Sequence, residues 1–339
     1  MKRKIIGICV CMLLTITCIV PVMGEFIAVK KSSDDIKSLS SVTTRLKFMI
    51  AGKAIRALRS YWLYIPPGYN ESKPTPLVIV LHGSSLGSDI EFYFRWIEKY
   101  TEFSTKADKE GFIVVYPNAK LWFQYFLHGE RAYHEWNCGW YPYFNDTSLI
   151  DDIGFIRDLI DKIEAGYNIN SSRIYVTGFS SGGIMSYTIG SLLSDKIAAI
   201  APVAGTIGGR GSEEEPYSYI PDPKNPVSVI AFHGTNDSFV SYENSSNEVS
   251  VNESISFWVK HDNCTSIPEI NISESGKIIR RVYRNGSNGT EVVLYTTMGG
   301  EHWWPGNHLK IGATYLIDTI QEISATDLIW EFFETHPKQ

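Results

Sequence analysis

The run Leu77-Val78-Ile79-Val80-Leu81 holds no polar residue and stops at His82-Gly83. A strand with apolar side chains on both faces has to be covered on both faces, which is the situation of a parallel sheet sandwiched by helices. Comparable short apolar runs recur at 112–116, 174–177, 198–203, 227–232 and 292–297. Between them, helical periodicity is read over 89–109, 152–167, 182–193, 249–260 and 326–335. Strands alternating with helices predict an α/β fold, a mostly parallel central sheet with helices on both faces. Two further strands are expected before this series, at 46–50 and 61–65, the second broken by Pro66-Pro67-Gly68. Residues 118–148 interrupt the rhythm. They are rich in Trp, Tyr and Phe, and read as a long irregular loop of functional character. Residues 265–290 read as a hairpin or edge excursion at the surface.

The N-terminus bears on compartment. Met1-Lys2-Arg3-Lys4 is basic, 5–22 is largely apolar, and the small Gly24 precedes Glu25. That pattern is a secretory signal peptide over residues 1–24 and implies an extracellular protein. A retained anchor is the alternative, because the apolar run is about the roughly 18 residues that a spanning helix needs. Residues 25–44 are polar and read as a flexible leader, leaving 45–339 as a single folded domain. Beyond the signal segment only Cys138 and Cys264 remain, and in an oxidising exterior they either pair or stay as two buried thiols. Asn-x-Ser/Thr occurs at Asn70, Asn145, Asn170, Asn236, Asn244, Asn252, Asn263, Asn271, Asn285 and Asn288. That is ten of sixteen asparagines, where chance would supply roughly two or three, and it is what a glycan-bearing exported chain would show. A net charge of −6 gives no basic footprint for a nucleic acid.

The chemistry concentrates in three glycine-flanked turns. Gly178-Phe179-Ser180-Ser181-Gly182 follows a strand and opens a helix, the context in which a strained turn lifts a serine hydroxyl above the sheet. Flanking glycines remove the Cβ atoms that such a turn would crowd. This G-x-S-x-G elbow belongs to the α/β-hydrolase fold, where the partners follow in the order Ser, Asp or Glu, His. The run 229–232 leads into His233-Gly234-Thr235-Asn236-Asp237, which makes Asp237 the orienting acid, with Asp222 and Asp262 as alternatives. The run 293–297 leads into Met298-Gly299-Gly300-Glu301-His302, which makes His302 the base. His82 and His233 each precede a glycine at a strand end and read as turn-stabilising. Ser180, Asp237 and His302 thus form a nucleophile–acid–base set. The oxyanion hole is expected from the backbone N–H groups of Ser181 and Ser84. No HExxH or CxxC spacing suggests a metal, and no glycine loop suggests a nucleotide, so no cofactor is expected.

These blocks, together with Leu81-His82-Gly83 and His302-Trp303-Trp304-Pro305-Gly306, resemble the secreted esterases related to poly(3-hydroxybutyrate) depolymerases, including the feruloyl and acetylxylan esterases of carbohydrate esterase family 1. Tyr116-Pro117-Asn118, Trp136-Asn137, Asp151-Asp152-Ile153-Gly154 and Trp258 followed by Cys264 extend the likeness over roughly residues 60–336. The resemblance implies the same triad, a carboxylic ester as substrate (polysaccharide-linked or polyester) and a Cys138–Cys264 disulfide. Trp136 and Trp304 are candidate substrate-binding residues, although a tryptophan packed behind the His302 loop fits the pattern equally. Asp151-Asp152 reads as a helix N-cap pair. A serine peptidase of the prolyl-oligopeptidase kind shares the triad order but not the H-x-W-P-G block, and a silent surface-binding protein would have no need of all three residues. Oligomeric state is not readable, and no membrane contact is expected beyond the signal segment.

Overall fold

The computed structural model describes residues 44–51, 58–86, 90–126, 129–139, 150–210, 212–245, 247–307, 310–311, 314–315 and 321–339. The expected signal segment, 1–24, and nearly all of the expected leader, 25–44, lie outside the described residues. Among the described residues, no helix is long and apolar enough to cross a membrane.

Ten strands form one sheet: β1 (Thr44–Ala51), β2 (Leu58–Ile65), β3 (Thr75–Leu81), β4 (Ile113–Pro117), β5 (Ile169–Phe179), β6 (Ala199–Val203), β7 (Ser228–Gly234), β8 (Glu269–Ile272), β9 (Ile278–Tyr283) and β10 (Val292–Thr297). Their spatial order is β1-β2-β4-β3-β5-β6-β7-β10-β9-β8. The run from β4 to β10 is parallel throughout, and an antiparallel pair completes the sheet at each edge. The strand order reverses beside β3, because β4 lies on one side of it and β5 on the other. In open α/β sheets the crevice at such a switch point, beyond the carboxyl ends of the strands, is where ligands bind.

The apolar run of β3 is buried at all seven positions. Alternate side chains enter two cores. Leu77, Ile79 and Leu81 face α3 (Asp152–Gly166), α4 (Ser181–Leu192) and α5 (Val251–His261), whereas Val78 and Val80 face α1 (Ile90–Thr101), α2 (Phe103–Glu110) and α6 (Ala325–Thr335). Helices therefore lie on both faces, as the alternation of the sequence predicts. Helix α4 is buried from Ser181 to Ser191, which explains its lack of a polar side.

Two expectations change in detail, and a third, the hairpin or edge excursion at 265–290, is met. The helix expected over 89–109 is two helices, because Glu102 takes a left-handed φ of 55°. The break lets Phe103 turn inward onto Phe112 and Trp304, with ring centroids 6.3 and 6.1 Å away. The supposed irregular loop contains a hairpin of Leu121–Phe126 with Gly129–His134, extended by Ser85–Leu86. Its Leu-Trp-Phe-Gln-Tyr-Phe strand is a dense run of β-formers. The excursion at 265–290 is the antiparallel pair β8–β9 at the sheet edge.

Asp151 does cap α3, its side chain accepting from the Gly154 N–H. Asp152 instead turns into the core, where it is paired with the buried Arg59 and accepts from the Asn137 N–H at 2.7 Å. The Arg59 guanidinium lies 4.4 Å from the Phe155 ring centre. Removing one partner of a buried ion pair strands the other charge, so Asp152→Ala is expected to lower unfolding free energy by about 3–5 kcal/mol, measured by urea denaturation.

Candidate active site

Ser180 joins β5 to α4 with φ 57° and ψ −122°, a conformation that L-residues rarely adopt. Its N–H donates to the Val203 carbonyl at 3.0 Å, and its carbonyl accepts from the Ile184 N–H at 3.0 Å. Strand β6 and the first turn of α4 thereby hold the elbow from either side. Gly182 is required by contact: a Cβ there would lie 2.4 Å from the Leu81 carbonyl oxygen. The loop after β3 passes directly over the serine, since a Cβ on Gly83 would meet Ser180 Cβ at 3.1 Å.

The loops after β7 and β10 are stitched together. Thr235 N–H donates to Thr297 O at 3.0 Å and Asn236 N–H to Gly300 O at 2.8 Å. Gly234 admits this approach, because a Cβ there would stand 2.3 Å from Gly300 O. The result places His302 Nδ1 2.7 Å from Asp237 Oδ2. Facing a carboxylate, Nδ1 carries the proton and leaves Nε2 as the basic atom of the neutral ring. The other oxygen, Oδ1, accepts from the N–H groups of Phe239 and Val240, each at 2.9 Å. His233 Nε2 donates to the Val240 carbonyl at 2.8 Å and lies 3.3 Å from Asp237 Oδ2. Burial pushes the Asp237 pKa upward, but hydrogen bonds from His233 and His302 outweigh it and hold the carboxyl well below the usual range.

The His302 ring lies against Phe179, the residue before Ser180, at 4.8 Å between centroids, and against Phe239 at 5.1 Å. Ser180, Asp237 and His302 thus stand at the carboxyl ends of β5, β7 and β10. The two alternative acids are elsewhere. Asp222 is exposed, and Asp262 is buried at the opposite end of the sheet, accepting from the Val227 N–H at 3.3 Å just before β7. Ser84 is exposed in the loop after β3, and Ser181 is the buried first residue of α4. Between them lies the buried Glu135, whose pKa is raised by burial against the opposing pull of the Ser84 and Ser181 hydroxyls.

The substrate-binding readings of Trp136 and Trp304 are corrected. Each is 1% exposed and offers no surface to a ligand. Trp136 is a prop: its indole N–H donates to the His82 carbonyl at 2.8 Å, beneath the loop that carries Gly83. Trp304 is a latch: its backbone N–H donates to the Tyr100 hydroxyl at 2.9 Å, and its indole N–H donates to Thr326 Oγ1 at 3.0 Å. The disulfide is corrected too, since both cysteines are free. Cys138 Sγ is directed at the Trp136 carbonyl and Cys264 Sγ at the Thr290 carbonyl, so each thiol has its own partner. The aromatic that does face solvent beside the base is Phe239, 74% exposed. No sequence periodicity marks it; its position two residues after Asp237 is the sole signal. Among the described residues, no group of three His, Cys, Asp or Glu side chains is placed to hold a metal ion.

Comparison with known proteins places this geometry. The family described as Phospholipase/Carboxylesterase matches residues 69–279. The chain belongs to that family. Feruloyl esterase B of Piromyces equi is 29% identical over 252 residues, 70% of this chain and 41% of the relative. Poly(3-hydroxyalkanoate) depolymerase C of Paucimonas lemoignei is 24% identical over 300 residues, 80% of this chain and 65% of the relative. The chain therefore spans less than two thirds of the length of either. Among solved structures, an acetyl xylan esterase from Aspergillus awamori shares the fold with a TM-score of 0.53 at 14% identity, covering 77% of this chain and 94% of that one. As a carboxylesterase-family α/β hydrolase, the chain carries its serine, aspartate and histidine in the chain order of that fold.

His82 gives the site a pH limit. Its Nε2 accepts from the Ala119 N–H at 3.0 Å, so Nδ1 holds the proton and donates to the Gly83 carbonyl at 2.7 Å. Burial lowers the pKa to about 4, against an unfolded value of about 6.5. Between those values the unfolded chain binds more protons than the folded one, so stability falls as pH drops from about 6.5 to about 4. His82→Gln is expected to lack this component, which urea midpoints measured across the window would reveal.

Proposed function

We propose that the chain is a secreted serine esterase that cleaves carboxylic esters through an acyl-enzyme. One observation carries this reading: a serine at φ 57° on an elbow whose preceding residue, Phe179, packs against a histidine held at 2.7 Å by a buried aspartate. His302 Nε2 takes the proton of Ser180 Oγ as the oxygen attacks the ester carbonyl. The N–H groups of Ser181 and Ser84 receive the oxyanion, with the N-terminus of α4 adding favourable partial charge. Asp237 stabilises the imidazolium, which then protonates the leaving alcohol. Water, deprotonated by the same histidine, releases the acid. Secretion is proposed from the signal pattern of residues 1–24.

The substrate reading is an ester of an aromatic acid linked to polysaccharide, such as a feruloyl ester. Phe239 supports it, because its exposed ring lies 5.1 Å from that of His302, where an acyl group would rest. A phenolic ring would stack there, whereas an acetyl group would gain little.

Two outcomes test these statements. Ser180→Ala is expected to lower turnover of p-nitrophenyl acetate and methyl ferulate by roughly 10⁶-fold with folding intact, and no ester turnover by the wild type would overturn the esterase reading. Phe239→Ala is expected to raise KM for methyl ferulate about tenfold, a loss of one good aromatic contact, with little change for p-nitrophenyl acetate. An equal change for both substrates would remove Phe239 from acyl recognition.

A further inference from the structure

The sheet ends in an unprotected strand. β8 pairs with β9 on one side only, in continuous register from Glu269↔Val282 to Ile272↔Ile279. All four of its residues are exposed. Ile270 is 55% and Ile272 63% exposed, and Ile267 just before them is 83% exposed. An open edge with apolar side chains is a template for another strand, and proteins ordinarily blunt it with lysine, proline, a bulge or a covering element. Pro268 and Glu269, the latter paired with Arg284, mark only the start of the edge; Ile270–Ile272 hold no lysine, proline or bulge, and their exposure shows that nothing among the described residues covers them.

What the strand does contain is Asn271, set between the two exposed isoleucines and followed by Ile272-Ser273, an N-glycosylation sequon. Side chains alternate along a strand, so Asn271 projects from the face opposite Ile270 and Ile272. Its amide Nδ2 donates only to Glu269 Oε1 at 3.2 Å, itself an exposed partner. Five more sequons fall within residues 244–288, at Asn244, Asn252, Asn263, Asn285 and Asn288, and all five asparagines are exposed. Asn271 is distinguished from these by lying within the edge strand itself.

We propose that Asn271 carries an N-linked glycan that closes the open edge of the sheet. The amide nitrogen attacks C1 of a lipid-diphosphate-linked oligosaccharide; an N–C bond forms, the bond from C1 to diphosphate oxygen breaks, and the amide proton leaves with the diphosphate. An added strand would sit about 4.8 Å from β8, well inside the volume that a hydrated glycan rooted on that strand sweeps. The modification thus supplies the steric block that the amino acids of the edge do not.

The test expresses the full 339-residue chain through a eukaryotic secretory pathway. Peptide mapping after enzymatic deglycosylation in ¹⁸O water is expected to show conversion of Asn271 to labelled aspartate. By light scattering, the glycosylated protein is expected to be monodisperse. Asn271→Gln, and wild type trimmed by endoglycosidase after folding, are expected to shift to at least double the mass. Adding Ile270→Lys to Asn271→Gln is expected to restore the original mass, with ester turnover per subunit unchanged in every variant. A secreted protein with other sequons occupied and Asn271 bare would overturn the inference, as would an unshifted mass after trimming. A chain retained in the cell with no sequon occupied would overturn the secretory reading on which it rests.

Discussion

The fold presses several stretches of backbone together where Ser180 turns from strand to helix. A non-glycine residue held at φ 57° costs on the order of 1–3 kcal/mol, and it persists only because its surroundings leave it no alternative. Those surroundings are backbone: Val203 O grips the Ser180 N–H, while Leu81 O and His82 O crowd the place where Gly182 would carry a Cβ. Strands β3, β5 and β6 must therefore be correctly spaced before the serine can be raised. The central sheet is thus a precondition of the site and more than a platform beneath it.

The acid and base depend on a second close approach. Gly234 and Gly300 let two loops share hydrogen bonds, and Asp237 then receives two backbone N–H groups on one oxygen and two histidines around the other. A carboxylate so surrounded has little orientational freedom, and it fixes the tautomer of His302 as well as its position. His233 sits on the same oxygen as the base. It therefore does more than stabilise a turn, which was all that its place before a glycine suggested.

Much of this was legible in the chain. The strands announced themselves because burial on both faces forbids polar residues, and Ser180, Asp237 and His302 each follow such a strand into glycine. What failed was the reading of side chains whose composition is neutral between core and cleft. Trp136 and Trp304 have the same indole whether they stack on a ligand or brace a loop, and only three-dimensional packing decides. Cys138 and Cys264 have separate neighbours that their spacing could not disclose. Phe239 was invisible because a lone exposed aromatic leaves no periodicity. The break at Glu102 was hidden because the packing it permits, Phe103 against Trp304, involves a residue distant in sequence.

The Trp304 latch has a further consequence. Pro305 O accepts from the Ala325 N–H at 2.9 Å, which ties the end of the His302 loop to the start of α6. Tyr100 and Thr326 grip Trp304 just ahead of that point, so the loop that carries the base is pinned to both α1 and α6. The base is thereby braced from the sheet face that carries α1 and α6, opposite the face that carries the helix behind the nucleophile.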